Sequence, residues 1–213
     1  MSILSRSAIK SAVECGDIVI DPYDSKQLNS GSYDLRLGRD VKVYKRWVTG
    51  LRYLDFPVPR TYEDCEGQTF GPGLSKYEIG AIDMKEPPET IGYTIHQKFL
   101  LVPGIMYLMH TKERVCSTKY IPVLDGKSSI GRLGIKVHLT AGYGDVGFDG
   151  QYTLEVEASG PIWVYPDMRV AQIRFHEVTG EIEDYKKSGH YVDSDAVGAV
   201  PSKAYKQIEE DGI

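Results

Sequence analysis

The chain has 213 residues, of which 41% are hydrophobic and 26% charged, and its formal net charge is −5. These values are ordinary for a soluble globular protein with a real core, and the acidic balance excludes a global basic field for nucleic acid. No apolar run resembles a signal peptide or a membrane span, and three widely spaced cysteines favour free thiols in a reducing compartment, so we expect a cytoplasmic protein that binds neither nucleic acid nor membranes.

In chain order, the first predicted element is an N-terminal helix. Ser5 or Ser7 can cap it, apolar residues follow at helical spacing, and Gly16 can end it. Strand patterns dominate afterwards: alternation predicts strands within SYDLRLG, GQYTLEVEAS and RVAQIRFHEV, and apolar runs predict strands within YTIHQKFLLVPG and IMYLMH. Because turn signals separate many short strands, the sequence predicts a mainly β fold, either a barrel or a sandwich.

Two segments stand apart from this pattern. Residues 50–75 are rich in proline and glycine and are predicted to form an inserted loop. The residues from about 186 to 213 mix glycine, aspartate, serine and lysine. They are predicted to form a tail that is either disordered or folded over another part of the molecule.

The stretch DGKSSIGRLG, residues 125–134, concentrates cations and hydroxyls between glycines. Small residues beside cations usually mark a backbone that approaches an anion. A P-loop is excluded, although GKS resembles one, because Ile121 stands where the first glycine of G-x-x-x-x-G-K-[ST] must be. The segment also lacks a parallel βαβ context.

Zinc hydrolases and zinc deaminases are excluded as well. That chemistry requires an H-x-E motif and a downstream P-C-x-x-C, and the chain contains no C-x-x-C. The histidines stand singly, and each is interpreted as a core or surface residue: His96, His110, His138, His176 and His190. Any hydrolysis is therefore expected to proceed without zinc.

Three polar segments lie within about thirty residues of one another. GKSSIGRLG supplies cations and hydroxyls, and the glycine-rich loop TAGYGDVGFDG can lay its backbone along a flat base while an aspartate receives a sugar hydroxyl. YTLEVE places Glu155 on the polar face of a strand, where a carboxylate is rigidly held but open to a cleft. The plain alternatives are that Glu155 is a solvated strand residue, that Lys127 and Arg132 are surface charges, and that the loop is a simple hairpin.

The order of these motifs resembles the dCTP deaminase branch of the trimeric dUTPase superfamily. That branch reads SSLARLGL, then TAG-I-DPGF-G-ITLE, then P-GM-IGQL-F, and the matching residues here run from Val115 to Phe175. The N-terminal helix and NSGSYDLRLG extend the match. The resemblance implies a single domain over residues 1–213, with a distorted jelly-roll β-barrel of the dUTPase type, an N-terminal helix and a few short helices. It further implies a homotrimer with active sites between subunits and a C-terminal tail that closes over the site.

The resemblance assigns catalytic roles to three residues. Glu155 falls on the family's acid/base, which takes a proton from the water that attacks C4 of cytosine, delivers it to N3 and protonates the leaving amine. Ser128 and the backbone carbonyl of Ala141 would orient the water and the exocyclic amine.

A further set of residues would bind the substrate. The phosphates would be held by cations and hydroxyls at the start of a short helix, Asp145 would hold the 3′-hydroxyl, and Phe148 would pack against the sugar and disfavour a 2′-hydroxyl. The predicted set is Lys127, Ser129, Arg132, Asp145, Phe148, Gln172 and Tyr191. We expect Mg²⁺ to accompany the substrate, held mainly by phosphates and water, and no zinc.

The implied activity is zinc-independent conversion of dCTP to dUTP and ammonia. A dUTPase is less well matched, because Gly147-Phe148 replaces the tyrosine motif of dUTPases and the tail lacks their glycine-rich arm. A bifunctional deaminase that also cleaves the triphosphate is an alternative. A non-catalytic nucleotide-binding regulator is another, and the presence of Glu155 argues against it.

The match departs from the family pattern at Lys127, where an arginine is usual, and in the tail. His190 replaces a lysine, and Ser194 and Asp195 occupy the region of a glutamine. Because fewer cations and no bidentate arginine face the triphosphate, we expect weakened discrimination for it, with use of dCMP instead of or beside dCTP.

Overall fold

The computed structural model describes residues 2–45, 82–140, 142–183, 185, 189, 191 and 197–212, together with the backbone of two short strands at 62–63 and 69–70. The predicted inserted loop at 50–75 lies outside the described residues except for those two strands. No described helix is long and apolar enough to cross a membrane.

Strands make up most of the regular structure. In chain order they are β1 Ile18–Asp21, β2 Tyr33–Arg36, β3 Asp40–Tyr44, β4 Tyr62–Glu63, β5 Thr69–Phe70, β6 Thr90–Thr94, β7 Phe99–Leu101, β8 Tyr107–Ser117, β9 Tyr120–Gly126, β10 Ile135–Lys136, β11 Asp149–Ala158, β12 Ile162–Val164 and β13 Arg169–Glu177. The described helices are α1 Arg6–Glu14, α2 Ser128–Gly131 and α3 Ala204–Glu210, with a 3-10 turn at Ser25–Gln27. The predicted mainly β fold with an N-terminal helix and a few short helices is confirmed.

The strands pair antiparallel in several sheets. The largest sheet has the order β10-β11-β8-β3-β6, with β1 also paired to β8, and a three-stranded sheet has the order β2-β13-β9. β12 pairs with β7, and β4 pairs with β5. Side chains of both larger sheets join one apolar core, which includes Leu154 of β11 and Phe175 of β13. This is the sheet-on-sheet packing that a jelly roll requires.

Local chemistry explains the N-terminal helix α1. Ser5 is the N-cap, and its hydroxyl accepts a hydrogen bond from the backbone N–H of Ala8. Ile9 and Ala12 are buried against the core. Gly16 follows with a φ of +83°, a left-handed conformation that favours glycine. The predicted helix is confirmed, and the first of its two candidate caps is the one used.

The strand β11 alternates as the sequence predicts. Leu154, Val156 and Ala158 are buried in the core, whereas Glu155 is half-buried on the opposite face. Glu155 stands opposite Leu108 of β8, so its backbone is held within the large sheet.

The strand β2 departs from the expected alternation. The pattern places Tyr33 and Leu35 on the core side and Asp34 on the polar side, yet all three are buried, and only 2% of the Asp34 surface is exposed. A buried carboxylate needs cations or hydrogen-bond donors around it. Asp34 has both, and they belong to the candidate site.

Candidate active site

Glu155, the predicted acid/base, projects from β11 beside the start of the glycine-rich loop. Its Oε2 atom accepts a hydrogen bond from the backbone N–H of Leu139 at 2.9 Å. Within the described part of the chain, this carboxylate makes no other hydrogen bond or ion pair. The strand fixes the Cα atom and the Leu139 amide orients one oxygen, which is the rigid support that an acid/base requires.

The glycine-rich loop lies along β9 like an added strand. Leu124 N donates to Gly142 O at 2.6 Å, and Gly144 N donates to Pro122 O at 2.8 Å. Position 142 requires glycine, because a Cβ atom there would lie 2.3 Å from the carbonyl oxygen of Leu124. Ala141 lies outside the described residues, so the role of its carbonyl stays a prediction.

The short helix α2 contains Ser128, a predicted catalytic residue, and Ser129, and Arg132 follows directly after it. Ser128, Ser129 and Arg132 are exposed, and their side chains make no hydrogen bond or ion pair with any described residue. Ile130 is buried beneath them and holds the helix on the core. Hydroxyl and guanidinium groups placed in this way are donors that suit phosphate oxygens.

Lys127, at the N-terminal end of α2, already has a protein partner. Its Nζ atom lies 2.5 Å from Oδ1 of the buried Asp34. The same carboxylate accepts a hydrogen bond from Asn29 Nδ2 at 2.8 Å and lies 3.4 Å from Nη1 of Arg169. A phosphate group that binds Lys127 would therefore share this cation with a buried carboxylate.

Gln172 joins the same group through the register of the three-stranded sheet. It stands opposite Asp34 of β2. Its side chain accepts a hydrogen bond from Ser32 Oγ at 3.1 Å and donates one to the carbonyl of Gly126 at 3.2 Å. The fold thus brings two predicted substrate-binding residues near Asp34: Lys127 pairs with its carboxylate, and Gln172 stands opposite it in the sheet register.

The predicted sugar-binding residues lie at the far end of the glycine-rich loop. Asp145 is exposed, and its carbonyl accepts a hydrogen bond from Phe148 N at 3.3 Å. The half-buried ring of Phe148 lies 5.0 Å from the ring of Tyr152 and 6.1 Å from that of Tyr185, measured between centroids. Burial raises the pKa of the Tyr152 hydroxyl, so this group is a neutral phenol.

Residues 198–203, called here the C-terminal segment, lie along the polar face of β11. Alternate backbone N–H groups of this segment donate to side chains of the large sheet: Gly198 to Gln151 Oε1 (2.8 Å), Val200 to Thr153 Oγ1 (2.9 Å) and Ser202 to the Tyr44 hydroxyl (3.2 Å). Burial raises the pKa of Tyr44, and the neighbouring Tyr191 and Glu155 add to that rise. The segment therefore runs along β11 from Gln151 past Thr153, in the direction of Glu155.

Tyr191, the predicted substrate-binding residue of the tail, is tied to this segment. Its backbone N–H donates to the Tyr185 hydroxyl at 3.2 Å, and its own hydroxyl accepts from Lys203 N at 3.0 Å. The tail residues His190, Ser194 and Asp195 lie outside the described residues, so the predicted departures there are not placed.

Sequence reasoning did not assign Tyr44, Thr153 and Tyr185 to the site. Thr153 shares the predicted polar face of β11 with Glu155, and that alternation was the available signal. Tyr44 and Tyr185 carried no signal, because the contacts that place them here join residues distant in the chain.

The described residues contain no group of three or more His, Cys, Asp or Glu side chains that could hold a metal ion. His110, one of the histidines interpreted as core or surface residues, is buried, and both of its ring nitrogens are used within the protein. Its Nδ1 donates to the Thr111 carbonyl at 2.9 Å, and its Nε2 accepts from Asp40 N at 3.2 Å. Burial lowers the pKa of His110, which favours the neutral ring.

Comparison with known proteins places this geometry in context. A family model described as dCTP deaminase-like matches residues 3–178. A protein of Leptospira biflexa named dCTP deaminase, dUMP-forming, is 40% identical over 195 residues, which are 91% of this chain and 91% of that protein. Proteins of the same name from Hathewaya histolytica and Cytophaga hutchinsonii are 36% and 38% identical, over 97% and 98% of this chain and 99% of each relative.

A solved structure is similar in fold. The 2′-deoxycytidine 5′-triphosphate deaminase of Agrobacterium tumefaciens matches 88% of this chain with a TM-score of 0.55 and 18% identity. The match spans 53% of that chain. At this level of identity the similarity concerns the fold, and it confirms the predicted distorted jelly roll.

Proposed function

The chain belongs to the dCTP deaminase-like family, and we propose that it hydrolyses dCTP to dUMP, with release of ammonia and diphosphate. The observation that carries this proposal is the set of relatives, which share the name dCTP deaminase, dUMP-forming, and match 91% or more of the chain. That name gives dUMP as the product of the relatives, whereas the motifs alone led us to expect dUTP. It favours the bifunctional alternative over a deaminase that stops at dUTP.

The first of two hydrolytic steps is deamination. Water adds to C4 of the cytosine ring, and the amino group leaves as ammonia, so that cytosine becomes uracil. We assign the proton transfers to Glu155, which takes a proton from the attacking water, delivers it to N3 and protonates the leaving amine. The hydrogen bond from Leu139 N and the place of Glu155 on β11 support this role. General acid–base catalysis contributes ~10²–10⁴-fold, so the positioning of substrate and water must supply the rest.

The second step removes two phosphates. A second water provides the new oxygen on the α-phosphorus, and the bond from that phosphorus to the oxygen bridging the α- and β-phosphates breaks. The products are dUMP and diphosphate. Exposed Arg132 and the hydroxyls of Ser128 and Ser129 are the groups we assign to the phosphates. Mg²⁺ would accompany the triphosphate, held mainly by phosphates and water, because the described residues offer no ready-made cluster of ligands.

The proposal is tested with the purified protein and a panel of dCTP, dCMP and dUTP, with ammonia and nucleotide products measured separately. With dCTP, we expect one dUMP and one diphosphate for each ammonia released. Accumulation of dUTP would contradict the second step. Absence of any ammonia, with nucleotide binding intact, would favour the non-catalytic regulator.

The role of Glu155 is tested by the substitution Glu155→Gln. This variant keeps the shape of the side chain and loses the proton acceptor, so ammonia release is expected to fall at least about 100-fold, while calorimetry still detects dCTP binding. Glu157→Gln is the matched control. Glu157 lies on the same face of β11, 3.4 Å from Lys136 in an exposed pair, and its loss should leave turnover within about twofold. Equal losses in both variants would refute the assignment.

The use of dCMP is a separate hypothesis. It derives from His190, Ser194 and Asp195, which lie outside the described residues, and from Lys127, which shares its charge with Asp34. The ratio of kcat/KM for dCTP and dCMP decides it. A preference for dCTP of about a thousandfold or more would refute it.

A further inference from the structure

Three aromatic rings cluster where the glycine-rich loop meets β11. The ring of Phe148 is tilted by 52° against Tyr152 and by 67°, nearly edge-on, against Tyr185. Gly150 closes another side, because a Cβ atom there would lie 3.2 Å from Phe148 Cζ. Offset and edge-on contacts of this kind favour one orientation of a ring over others. The three rings are called here the Phe148 cluster.

Tyr185 is held in this cluster by its backbone. Its N–H donates to the carbonyl of Val146 at 3.0 Å, and its carbonyl accepts from Gly189 N at 2.8 Å. Gly189 lies directly over the ring, because a Cβ atom there would be 2.2 Å from Tyr185 Cζ. Tyr185 is half-buried, and burial raises the pKa of its hydroxyl. The ring is therefore held by Gly189 as well as by the glycine-rich loop.

We propose that Tyr185 is a positioning residue that fixes the ring of Phe148 and thereby sets the preference for a deoxyribose nucleotide over a ribose nucleotide. This inference rests on the proposed function and on the role of Phe148 against the sugar. An apolar wall rejects an added hydroxyl by about 100-fold at most, and it does so only if the wall cannot move aside. Tyr152 belongs to β11, so the contact with Tyr185 is the one that a substitution can remove without altering a strand of the large sheet.

The hydroxyl of Tyr185 has a second and separable task. It accepts the backbone N–H of Tyr191, the predicted substrate-binding residue of the tail, at 3.2 Å. The ring thus supports the sugar side of the site, whereas the hydroxyl holds the tail side. Tyr185→Phe removes the hydroxyl alone, and Tyr185→Leu removes the flat ring as well.

The experiment compares dCTP and CTP on wild type, Tyr185→Phe and Tyr185→Leu. It measures kcat/KM from ammonia release and, independently, the affinity for both nucleotides by calorimetry. Tyr165→Leu is the control, because Tyr165 is an exposed tyrosine just after β12, outside the Phe148 cluster. Circular dichroism verifies that each variant is folded.

We expect Tyr185→Leu to lower the dCTP-to-CTP ratio about tenfold, by both readouts, and to do so through better acceptance of CTP. Tyr185→Phe should keep the ratio within about twofold and raise KM for dCTP about two- to tenfold, since one hydrogen bond to the tail is lost. Tyr165→Leu should change neither the dCTP-to-CTP ratio nor KM for dCTP.

An unchanged ratio in folded Tyr185→Leu would overturn the inference. If Tyr185→Leu does not fold, Tyr185→Met, which also lacks the flat ring, takes its place, and an unchanged ratio would again overturn the inference. A tenfold fall in the ratio for Tyr185→Phe would overturn it as well, because that variant keeps the ring. If wild type releases no ammonia from dCTP, the proposed function fails, and the calorimetric ratio still decides the role of Tyr185.

Discussion

Asp34 shows how the chemistry of a single residue depends on its partners. Its carboxylate is buried beside Lys127, Arg169 and Asn29, so a group that belongs in water is stabilised by two cations and an amide. The pair with Lys127 also holds the N-terminal end of α2 against β2. The residue expected to bind phosphate is thus part of the protein's own scaffold.

The energy of this pair can be measured with a double-mutant cycle. Lys127→Met and Asp34→Asn should each lower the free energy of unfolding by about 1–3 kcal/mol, because each leaves a polar partner uncompensated. The double variant should lose less unfolding free energy than the two single variants lose together, and the difference, the coupling energy, should be about 0.5–3 kcal/mol. Urea denaturation of the four proteins gives these values.

The control cycle uses Lys136 and Glu157, whose pair is exposed and 3.4 Å long. No measurable coupling is expected there, since water and salt screen such pairs. Strict additivity at Lys127 and Asp34 would show that the buried contact contributes nothing to the fold, and Lys127 would then be free to act on phosphate alone.

At the scale of elements, the C-terminal segment is attached in an unusual way. Its alternate N–H groups bond to side chains of β11 and β3 rather than to a neighbouring strand. Each bond depends on one substitutable side chain. Ala199 adds a small apolar contact with Tyr44 and Leu108. Lys203 N adds a bond to the Tyr191 hydroxyl, so the attachment of the segment can be tested one bond at a time by single substitutions.

Thr153 provides the test of this attachment. Thr153→Val keeps the shape of the side chain and removes the acceptor for Val200 N, at a cost of about 0.5–1.5 kcal/mol. Hydrogen exchange of the Val200 amide should become roughly 2- to 12-fold faster, which is the same free energy expressed as a rate ratio. Thr153→Ser keeps the hydroxyl and should exchange like wild type. Equal protection in the Val and Ser variants would show that the segment is held by other contacts.

For the whole molecule, local patterns predicted the elements better than their contacts. β11 and β13 follow from alternation because a strand with one buried face repeats every two residues. The burial of Asp34 could not be predicted in this way, since its partners Lys127 and Arg169 lie 93 and 135 residues further along the chain. The bond between Tyr44 and Ser202, 158 residues apart, escaped prediction for the same reason.

The candidate site divides along the same line. Glu155, α2 and the glycine-rich loop could be predicted, because their segments are rich in charged residues, hydroxyls and glycines. The family resemblance then assigned their roles. Tyr185 and the C-terminal segment matter through packing, which no local motif encodes. The predicted trimer belongs to this second class, because contacts between copies are invisible in one chain.

If the active sites lie between the subunits of a trimer, residues of two different chains must cooperate in each site. In the described chain, the side chains of Ser128 and Glu155 share no hydrogen bond, and the Ser128 hydroxyl makes none with any described residue. If Glu155 of one subunit works with Ser128 of the next, Glu155→Gln and Ser128→Ala damage opposite halves of each site. A mixed trimer of the two variants would then contain one intact site, whichever variant is in the majority.

Coexpression with two different tags isolates such mixed trimers. They should recover about one third of the wild-type rate of ammonia release, although each variant alone is inactive, because one closed ring of three subunits holds three equivalent sites. Light scattering should report three times the chain mass of 23.8 kDa. Trimers made from one variant with both tags control for the tags and should stay inactive. Mixed trimers as inactive as their parents would mean that both residues act within one subunit, and the exposed hydroxyls of α2 would then need their partners from the same chain.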